Sequence, residues 1–271
     1  PQWIGAEYRK GFFFVNKQWN IGTYNNEEQS KLIKNSCEYL EKLIRTIQPN
    51  YKIKAFKGGS WGLQPSETLL QNLSSNGIEI VMGVIKGIKI PDIGVDYTGV
   101  EEDTLPYHPN FKDITKVSKT KNGIKVLPIP SYSPSLIELL PYFVGKFKKK
   151  IIGKLMPSDD IVGLPNEIKN NKTLKSRKKF HLSSRPFKTH LNIGDESFSV
   201  MKNAFDATIK RLRKVDEPNI PIVIESHTKV FANNYNDVAK FLTYILEKYG
   251  DEVEFSTMSA YLKRVKANEV N

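Results

Sequence analysis

Cysteine is nearly absent from this chain of 271 residues, and its single Cys37 excludes an intrachain disulfide and a cysteine-rich zinc site. No apolar run is long enough to cross a bilayer as a helix. The sequence begins at Pro1, without an initiator methionine or a signal-like segment, so we expect a processed product or a fragment. Its four histidines form no His-x-His or His-x-x-x-His pair, which argues against a self-contained metal site.

Arginine is also scarce, because only seven of the 41 basic residues are Arg. The formal net charge is +12, and residues 146–188 contribute +10 of it, with thirteen Lys or Arg against three acidic residues. Such a local basic patch indicates an anionic partner, for example phosphate, an acidic polysaccharide or a membrane surface. Proteins that read nucleic acid rely on arginine forks, so we do not expect a nucleic-acid partner. A solvated, lysine-rich insertion is the alternative.

Short apolar runs and amphipathic stretches alternate in both halves of the chain, and this alternation predicts the secondary structure. Helices are expected at 26–47, 66–75, 135–156, 197–214, 236–249 and 256–266. Strands are expected at 51–56, 78–82, 124–129, 221–225 and 252–255. Because helices connect successive strands, the pattern indicates a parallel sheet and an α/β fold. The chain is predicted to be one domain, 1–271, with a basic insertion at about 146–190.

The first candidate site is the loop that follows the strand at 51–56. Its sequence, Lys57-Gly-Gly-Ser-Trp61-Gly-Leu-Gln-Pro-Ser66, predicts a tight turn and then a helix capped by Ser66. In α/β proteins, loops at the carboxyl ends of strands carry ligand-binding residues, and glycines let a ligand approach the backbone. Lys57 is therefore a candidate, and an ordinary strand-to-helix turn is the alternative.

His227 is the candidate catalytic residue. It closely follows the apolar run 221–224, where a strand would deliver it to the carboxyl edge of the sheet. A histidine there acts as a general acid or base near neutral pH. A hydrogen-bonded structural histidine explains the pattern equally well.

Four stretches resemble the polysaccharide deacetylases, the family 4 carbohydrate esterases. Residues 56–66, Phe-Lys-Gly-Gly-Ser-Trp-Gly-Leu-Gln-Pro-Ser, resemble the third motif region of that family. Residues 221–229, Pro-Ile-Val-Ile-Glu-Ser-His-Thr-Lys, resemble its last motif, an apolar strand that leads to the catalytic histidine. Residues 253–258 resemble its closing strand, and 95–129 resemble a subgroup associated with bacterial surface-polysaccharide gene clusters.

The resemblance implies an incomplete or distorted (β/α) barrel and a metal-dependent hydrolase that removes N-acetyl groups from a cell-surface polysaccharide or its precursor. In that family a divalent metal ion such as zinc polarises the amide carbonyl and activates water. His227 would protonate the leaving amine, while Lys57, Trp61 and Asp96 would contact the glycan. A cytoplasmic or membrane-peripheral location is expected.

The chain departs from the family pattern at three places. In the family, the metal ligands, an Asp and two His, come just before a Pro-Gln-Trp sequence, and this chain begins with Pro1-Gln2-Trp3. We therefore expect this stretch alone to bind no catalytic metal and to release no acetate. Lys57 replaces the usual arginine, and Ile80-Val81-Met82 replaces an Asp-Ser-Ser type sequence. Two alternatives follow: a non-catalytic deacetylase-like fold that binds glycan, and a membrane- or anion-binding protein that acts through 146–188.

Overall fold

The structure, a computed structural model, describes residues 7–9, 12–14, 20–135, 137–138, 189–193, 196–226 and 234–270. The elements in chain order are β1 (Glu7–Arg9), β2 (Phe12–Phe14), α1 (Asn26–Ile44), β3 (Ala55–Lys57), α2 (Glu67–Ser75), β4 (Ile80–Met82), β5 (Lys89–Ile90), β6 (Val95–Asp96), β7 (Pro109–Asn110), β8 (Asp113–Val117), β9 (Lys125–Leu127), β10 (Ser131–Tyr132), β11 (Thr189–His190), α3 (Phe198–Leu212), α4 (Tyr235–Tyr249) and α5 (Met258–Val270). Within these ranges no helix is long and apolar enough to cross a bilayer. The predicted α/β class is confirmed.

Helix α1 begins where the sequence predicts. The Asn25 side chain accepts a hydrogen bond of 2.9 Å from the backbone N–H of Glu28, and this caps the helix. The helix ends at Ile44, before the predicted end, and Ile47 is 90% exposed. Cys37 is only partly buried against the core, and burial raises the pKa of its thiol.

A parallel three-stranded sheet in the order β3–β4–β9 forms the centre of the first half. Its register pairs Phe56 with Val81 and Val81 with Val126. Helix α2 connects β3 to β4, and Gly77 ends that helix in a left-handed conformation with φ of 76°. The predicted β–α–β unit is therefore confirmed, although β3 begins at Ala55 and is shorter than predicted.

Ser66 does not cap α2, so that prediction is wrong. Its side chain makes no capping hydrogen bond. Instead the buried hydroxyl donates to the carbonyl of Phe111 and accepts from the backbone N–H of Ile114, at 2.9 and 3.0 Å. Ser66 thus joins the start of α2 to the region of the β7–β8 hairpin, since a buried hydroxyl takes the nearest backbone partners.

Pairing in the second half is mixed. Strands β10 and β11 pair antiparallel. The strand predicted at 221–225 is wrong: residues 221–224 form no strand, and only Glu225 makes a parallel bridge, to Asn192. The N–H of Glu225 donates to the carbonyl of Leu191, and its carbonyl accepts from the N–H of Ile193. Residues 252–255 form no strand, contrary to prediction, because the N–H groups of Glu252 and Val253 donate to the carbonyl of Tyr249 and turn the chain. Among the described residues the strands do not close into a barrel, and a deacetylase-type barrel stays a prediction.

Two hydrophobic clusters form the interior. The first packs α2 and the parallel sheet, with Leu69, Leu70 and Leu73 fully buried. The second packs α3 against α4, where Phe205 and Phe241 meet edge to face at 5.8 Å between ring centres. Both clusters follow from the apolar stripes of the helices that line them.

Polar contacts join the two halves of the molecule. Arg211 of α3 forms an ion pair of 3.1 Å with Asp103, and the N–H of Leu191 donates to the carbonyl of Pro130. Asn203 of α3 donates to the carboxylate of Glu138 at 2.6 Å. Three further predictions, the rest of the helix at 135–156, the basic segment at 146–188 and the position of His227, lie outside the described residues.

Candidate functional site

Glu225 is the centre of a group of four side chains, Lys57, Trp61, His190 and Glu225, which we call the Glu225 cluster. The Glu225 carboxylate accepts a hydrogen bond of 3.0 Å from the indole Nε1 of Trp61 and lies 3.2 Å from Nζ of Lys57. His190 Nε2 lies 3.9 Å from the other carboxylate oxygen, which is too long for a hydrogen bond. The side chain of Glu225 is 10% exposed and that of Lys57 is 44% exposed. The cluster thus combines a largely buried carboxylate with an accessible cation.

Trp61 connects the members of this cluster. Its ring meets the ring of His190 edge to face, with 5.4 Å between centres. Trp61 lies 164 positions before Glu225 in sequence, so the hydrogen bond between them joins distant parts of the chain. Together with the Lys57 ion pair, this bond ties the loop after β3 to the end of the 221–225 segment.

The loop after β3 carries backbone strain at the site. Ser60 and Trp61 both adopt left-handed conformations, with φ of 51° and 58°. Such a conformation costs a non-glycine residue about 1–2 kcal/mol. The Tyr97 hydroxyl donates a hydrogen bond of 2.5 Å to the carbonyl of Trp61 and helps to offset that cost. Burial raises the pKa of Tyr97, which keeps the hydroxyl protonated as a donor.

Polar side chains hold the far end of the same loop. The Asn20 side chain donates to the carbonyls of Gln64 and Ile93, at 2.5 and 2.8 Å. The Gln64 amide in turn pairs with the backbone of Asp96, donating at 3.1 Å and accepting at 2.7 Å. The loop is therefore fixed at both ends, which preorganises the side chain of Trp61.

Asp96, a predicted glycan contact, lies in the β5–β6 hairpin. Hydrogen bonds from Lys89 and then Thr98 lower the pKa of its carboxyl to about 2, so it is ionised near neutral pH. Its link to the Glu225 cluster runs through the neighbouring Tyr97 and through Gln64. The structure thus brings Lys57 and Trp61 together, while Asp96 pairs with Lys89, and its role in glycan binding stays a prediction.

Sequence reasoning missed Glu225 and His190. Glu225 ends the apolar run 221–224 and stands two positions before His227, and that placement was an available signal. His190 borders the basic segment, which obscured the short apolar stretch that begins at Leu191. His190 is 3% exposed, so its neighbours determine its position. His227 itself lies outside the described residues.

The loop also reads Gly-x-Ser-x-Gly across residues 58–62, the sequence of a serine-hydrolase elbow. In such an elbow the serine lies on a sharp turn that leads into a helix, and a histidine takes its proton. Here α2 begins only at Glu67, and no hydrogen bond joins Ser60 to a histidine among the described residues. We therefore assign no nucleophilic role to Ser60.

The residues of the Glu225 cluster do not fit a catalytic metal ion. Among the described residues, no group of three His, Cys, Asp or Glu side chains is arranged to hold one. The nearest pair, His190 and Glu225, has the Lys57 ammonium against its carboxylate, where a second cation would be repelled. The cluster is instead suited to hydrogen bonding, with donors and an acceptor side by side.

Comparison with protein-family models, with curated proteins and with solved structures finds no match to this chain.

Proposed function

We propose that this chain is part of a carbohydrate N-deacetylase-like hydrolase that acts on a cell-surface polysaccharide or its precursor. In this proposal Lys57, Trp61 and Glu225 form the sugar-binding surface, and His227 is the general acid. The observation that carries the proposal is the convergence of Lys57 and Trp61 on Glu225. Lys57 and Trp61 belong to the segment 56–66, and Glu225 belongs to the segment 221–229, both of which resemble deacetylase motifs. His227 lies in the second of these segments, two positions after Glu225.

The chemistry of the cluster suits a sugar ring. A Lys ammonium and a Glu carboxylate 3.2 Å apart provide a donor and an acceptor at about the spacing of neighbouring sugar hydroxyls. Trp61 adds an aromatic face beside them, and ligand sites commonly combine apolar surface with a few placed polar groups. Because Lys57 is the accessible member of the ion pair, it is the group that we expect to meet the ligand first.

His227 is assigned the general-acid role, in which it protonates the amine that leaves when the amide bond breaks. The resemblance implies a divalent metal for the attack of water on that amide. Among the described residues no group of three His, Cys, Asp or Glu side chains is placed to hold this metal.

Because this stretch alone is expected to release no acetate, the test uses the full-length native protein that contains it, purified with a divalent metal in the buffer. The substrate is an N-acetylated oligosaccharide such as chitopentaose. Acetate release and sugar binding are measured separately. His227→Asn should lower acetate release by about a hundredfold or more and leave binding intact, because it removes only a proton donor. Lys57→Gln should raise KM by about tenfold, the loss expected for one hydrogen bond to a charged group. Lys240→Gln, an exposed lysine on α4, is the matched control and should change neither.

The glycan-binding alternative is favoured by the Lys57–Glu225 ion pair, which builds a binding surface without itself activating water. Sugar binding that depends on Lys57, with no acetate released by the native protein, would select this alternative. Absence of both binding and acetate release would refute both functions.

A further inference from the structure

A cationic cavity lies beside the Glu225 cluster. It has a volume of about 480 Å³, within the usual range for small-molecule sites. Its lining includes Lys86, Asp103, Ser131, Lys210, Arg211 and Lys214. Four cations thus face one carboxylate, so the cavity carries a net positive charge.

The charges of this cavity are only partly neutralised. Asp103 forms an ion pair with Arg211 at 3.1 Å and accepts a hydrogen bond of 2.8 Å from the Ser131 hydroxyl. Lys86 donates to the backbone carbonyl of Glu101 at 3.0 Å, a contact that leaves its charge uncompensated. Both remaining lysines, at 210 and 214, are exposed. A compact anion would therefore gain from several cations at once.

Lys210 lies in the last turn of α3, and Lys214 follows in the turn just after the helix ends at Leu212; both line the cavity. Two like charges that line one cavity repel each other. Arg211, between them, is already held by Asp103. An anion bound in the cavity would relieve that repulsion.

Strand pairing connects the cavity to the Glu225 cluster. Ser131, which lines the cavity, is the register partner of His190 in the β10–β11 pair. Directly opposed residues of an antiparallel pair have Cα atoms about 5 Å apart and point to the same face of the sheet. His190 Nε2 in turn lies 3.9 Å from the Glu225 carboxylate. A single residue pair, Ser131 and His190, therefore connects the cavity to the Glu225 cluster.

We propose that this cavity binds the diphosphate group of a sugar diphosphate whose sugar ring lies against the Glu225 cluster. This inference rests on the proposed function and narrows its substrate to an activated precursor. A diphosphate concentrates its charge within the span of one cavity, whereas an acidic polysaccharide spreads its charges along the chain. The diphosphate can belong to a nucleotide sugar or to a lipid-linked sugar, because both present the same group.

The test measures binding of inorganic pyrophosphate, UDP-N-acetylglucosamine, farnesyl diphosphate and neutral chitotriose by calorimetry. The variant Lys210→Glu/Lys214→Glu reverses two cavity charges, and Lys240→Glu/Lys263→Glu makes the same charge change at exposed positions elsewhere. The cavity variant should weaken binding of the three diphosphates by about tenfold or more. Chitotriose binding should not change, since the reversed charges act only on charged ligands. The control pair should leave all four ligands unchanged. Circular dichroism checks folding, and Lys210→Gln/Lys214→Gln repeats the test with neutral side chains.

The outcomes separate the two proposals. Tighter binding of the nucleotide sugar than of pyrophosphate or farnesyl diphosphate supports a nucleotide-linked precursor, and tighter binding of farnesyl diphosphate supports a lipid-linked one. No pyrophosphate binding, equal loss in both charge-reversed variants, or equal binding of all three diphosphates overturns the inference. Chitotriose binding that is lost in Lys57→Gln supports the proposed sugar-binding surface, independently of how the diphosphates bind. Failure of the cavity proposal and failure of the proposed function therefore remain distinguishable.

Discussion

Replacing Glu225 with glutamine tests whether the carboxylate organises its cluster. The substitution keeps the shape of the side chain and removes its charge. Because 44% of the Lys57 side chain is exposed, the Lys57–Glu225 ion pair is screened and should contribute about 0.2–1 kcal/mol. The Trp61 N–H donates to a carboxylate that is only 10% exposed, and such a charged hydrogen bond contributes about 1.5–3 kcal/mol. The Trp61 bond should therefore dominate.

The assay is urea unfolding followed by circular dichroism, with double-mutant cycles. Glu225→Gln should lower the free energy of unfolding by about 1–2 kcal/mol, because the amide oxygen still accepts from Trp61 but without charge. Trp61→Phe removes the N–H donor, and its coupling to Glu225→Gln should be about 1 kcal/mol or more. The coupling of Lys57→Gln to Glu225→Gln should be smaller, below about 1 kcal/mol.

Glu247→Gln, at an exposed position on α4, is the matched control and should change stability by less than about 0.5 kcal/mol. A larger coupling for Lys57 than for Trp61 would refute the ranking of the two contacts. Additive behaviour of Trp61 and Glu225 would refute the cluster itself.

Three further predictions concern packing, pH and the basic segment. Gly22→Ala should lower the free energy of unfolding in urea by about 1–3 kcal/mol, because the added Cβ would lie 2.7 Å from the carbonyl oxygen of Gln64. Gly99→Ala is the control, since its Cβ would lie 3.7 Å from the nearest atom, and equal effects of the two substitutions would contradict the prediction. Burial raises the pKa of Glu138, but hydrogen bonds, first that from Asn203, outweigh burial and lower this pKa to about 2. The ionised carboxylate therefore stabilises the fold fully above a pH of about 4.3, and this contribution is lost as the pH falls towards 2. Glu138→Gln should therefore flatten the fall in stability across that window, and an unchanged slope would exclude Glu138 as a source. Charge reversal at four lysines of the basic segment should abolish salt-sensitive binding to anionic vesicles if that segment is the anion contact, and unchanged binding would eliminate it; the lysines are Lys148, Lys149, Lys150 and Lys154.

Local signals predicted most of the first half correctly. The capping side chain of Asn25 and the acidic first turn that follows it mark the start of α1. The apolar spacing of Leu69, Leu70 and Leu73 marks the buried face of α2, and these side chains are fully buried. Short-range patterns succeed here because capping and amphipathic burial depend on residues within a few positions of each other.

Predictions failed where another hydrogen bond competed with the one that the local pattern indicates. Ser66 had the sequence of a helix cap, but its hydroxyl bonds to the backbone of Phe111 and Ile114 instead. Residues 252–255 had the composition of a strand, but their amides turn back to the carbonyl of Tyr249. In both cases a competing hydrogen bond overrode the propensity. For Ser66 the partners are Phe111 and Ile114, too far along the chain for a local pattern to indicate them.

By itself the sequence determined the five helices α1 to α5, the parallel β–α–β unit and the position of Lys57 at the end of β3. Only the tertiary structure decided that Lys57, Trp61 and His190 meet at Glu225, and that a cationic cavity lies beside them. The reason is physical. Hydrophobic periodicity and helix capping depend on residues within a few positions of each other. The hydrogen bond between Trp61 and Glu225 joins residues 164 positions apart, so it forms only once the helices and sheets have packed.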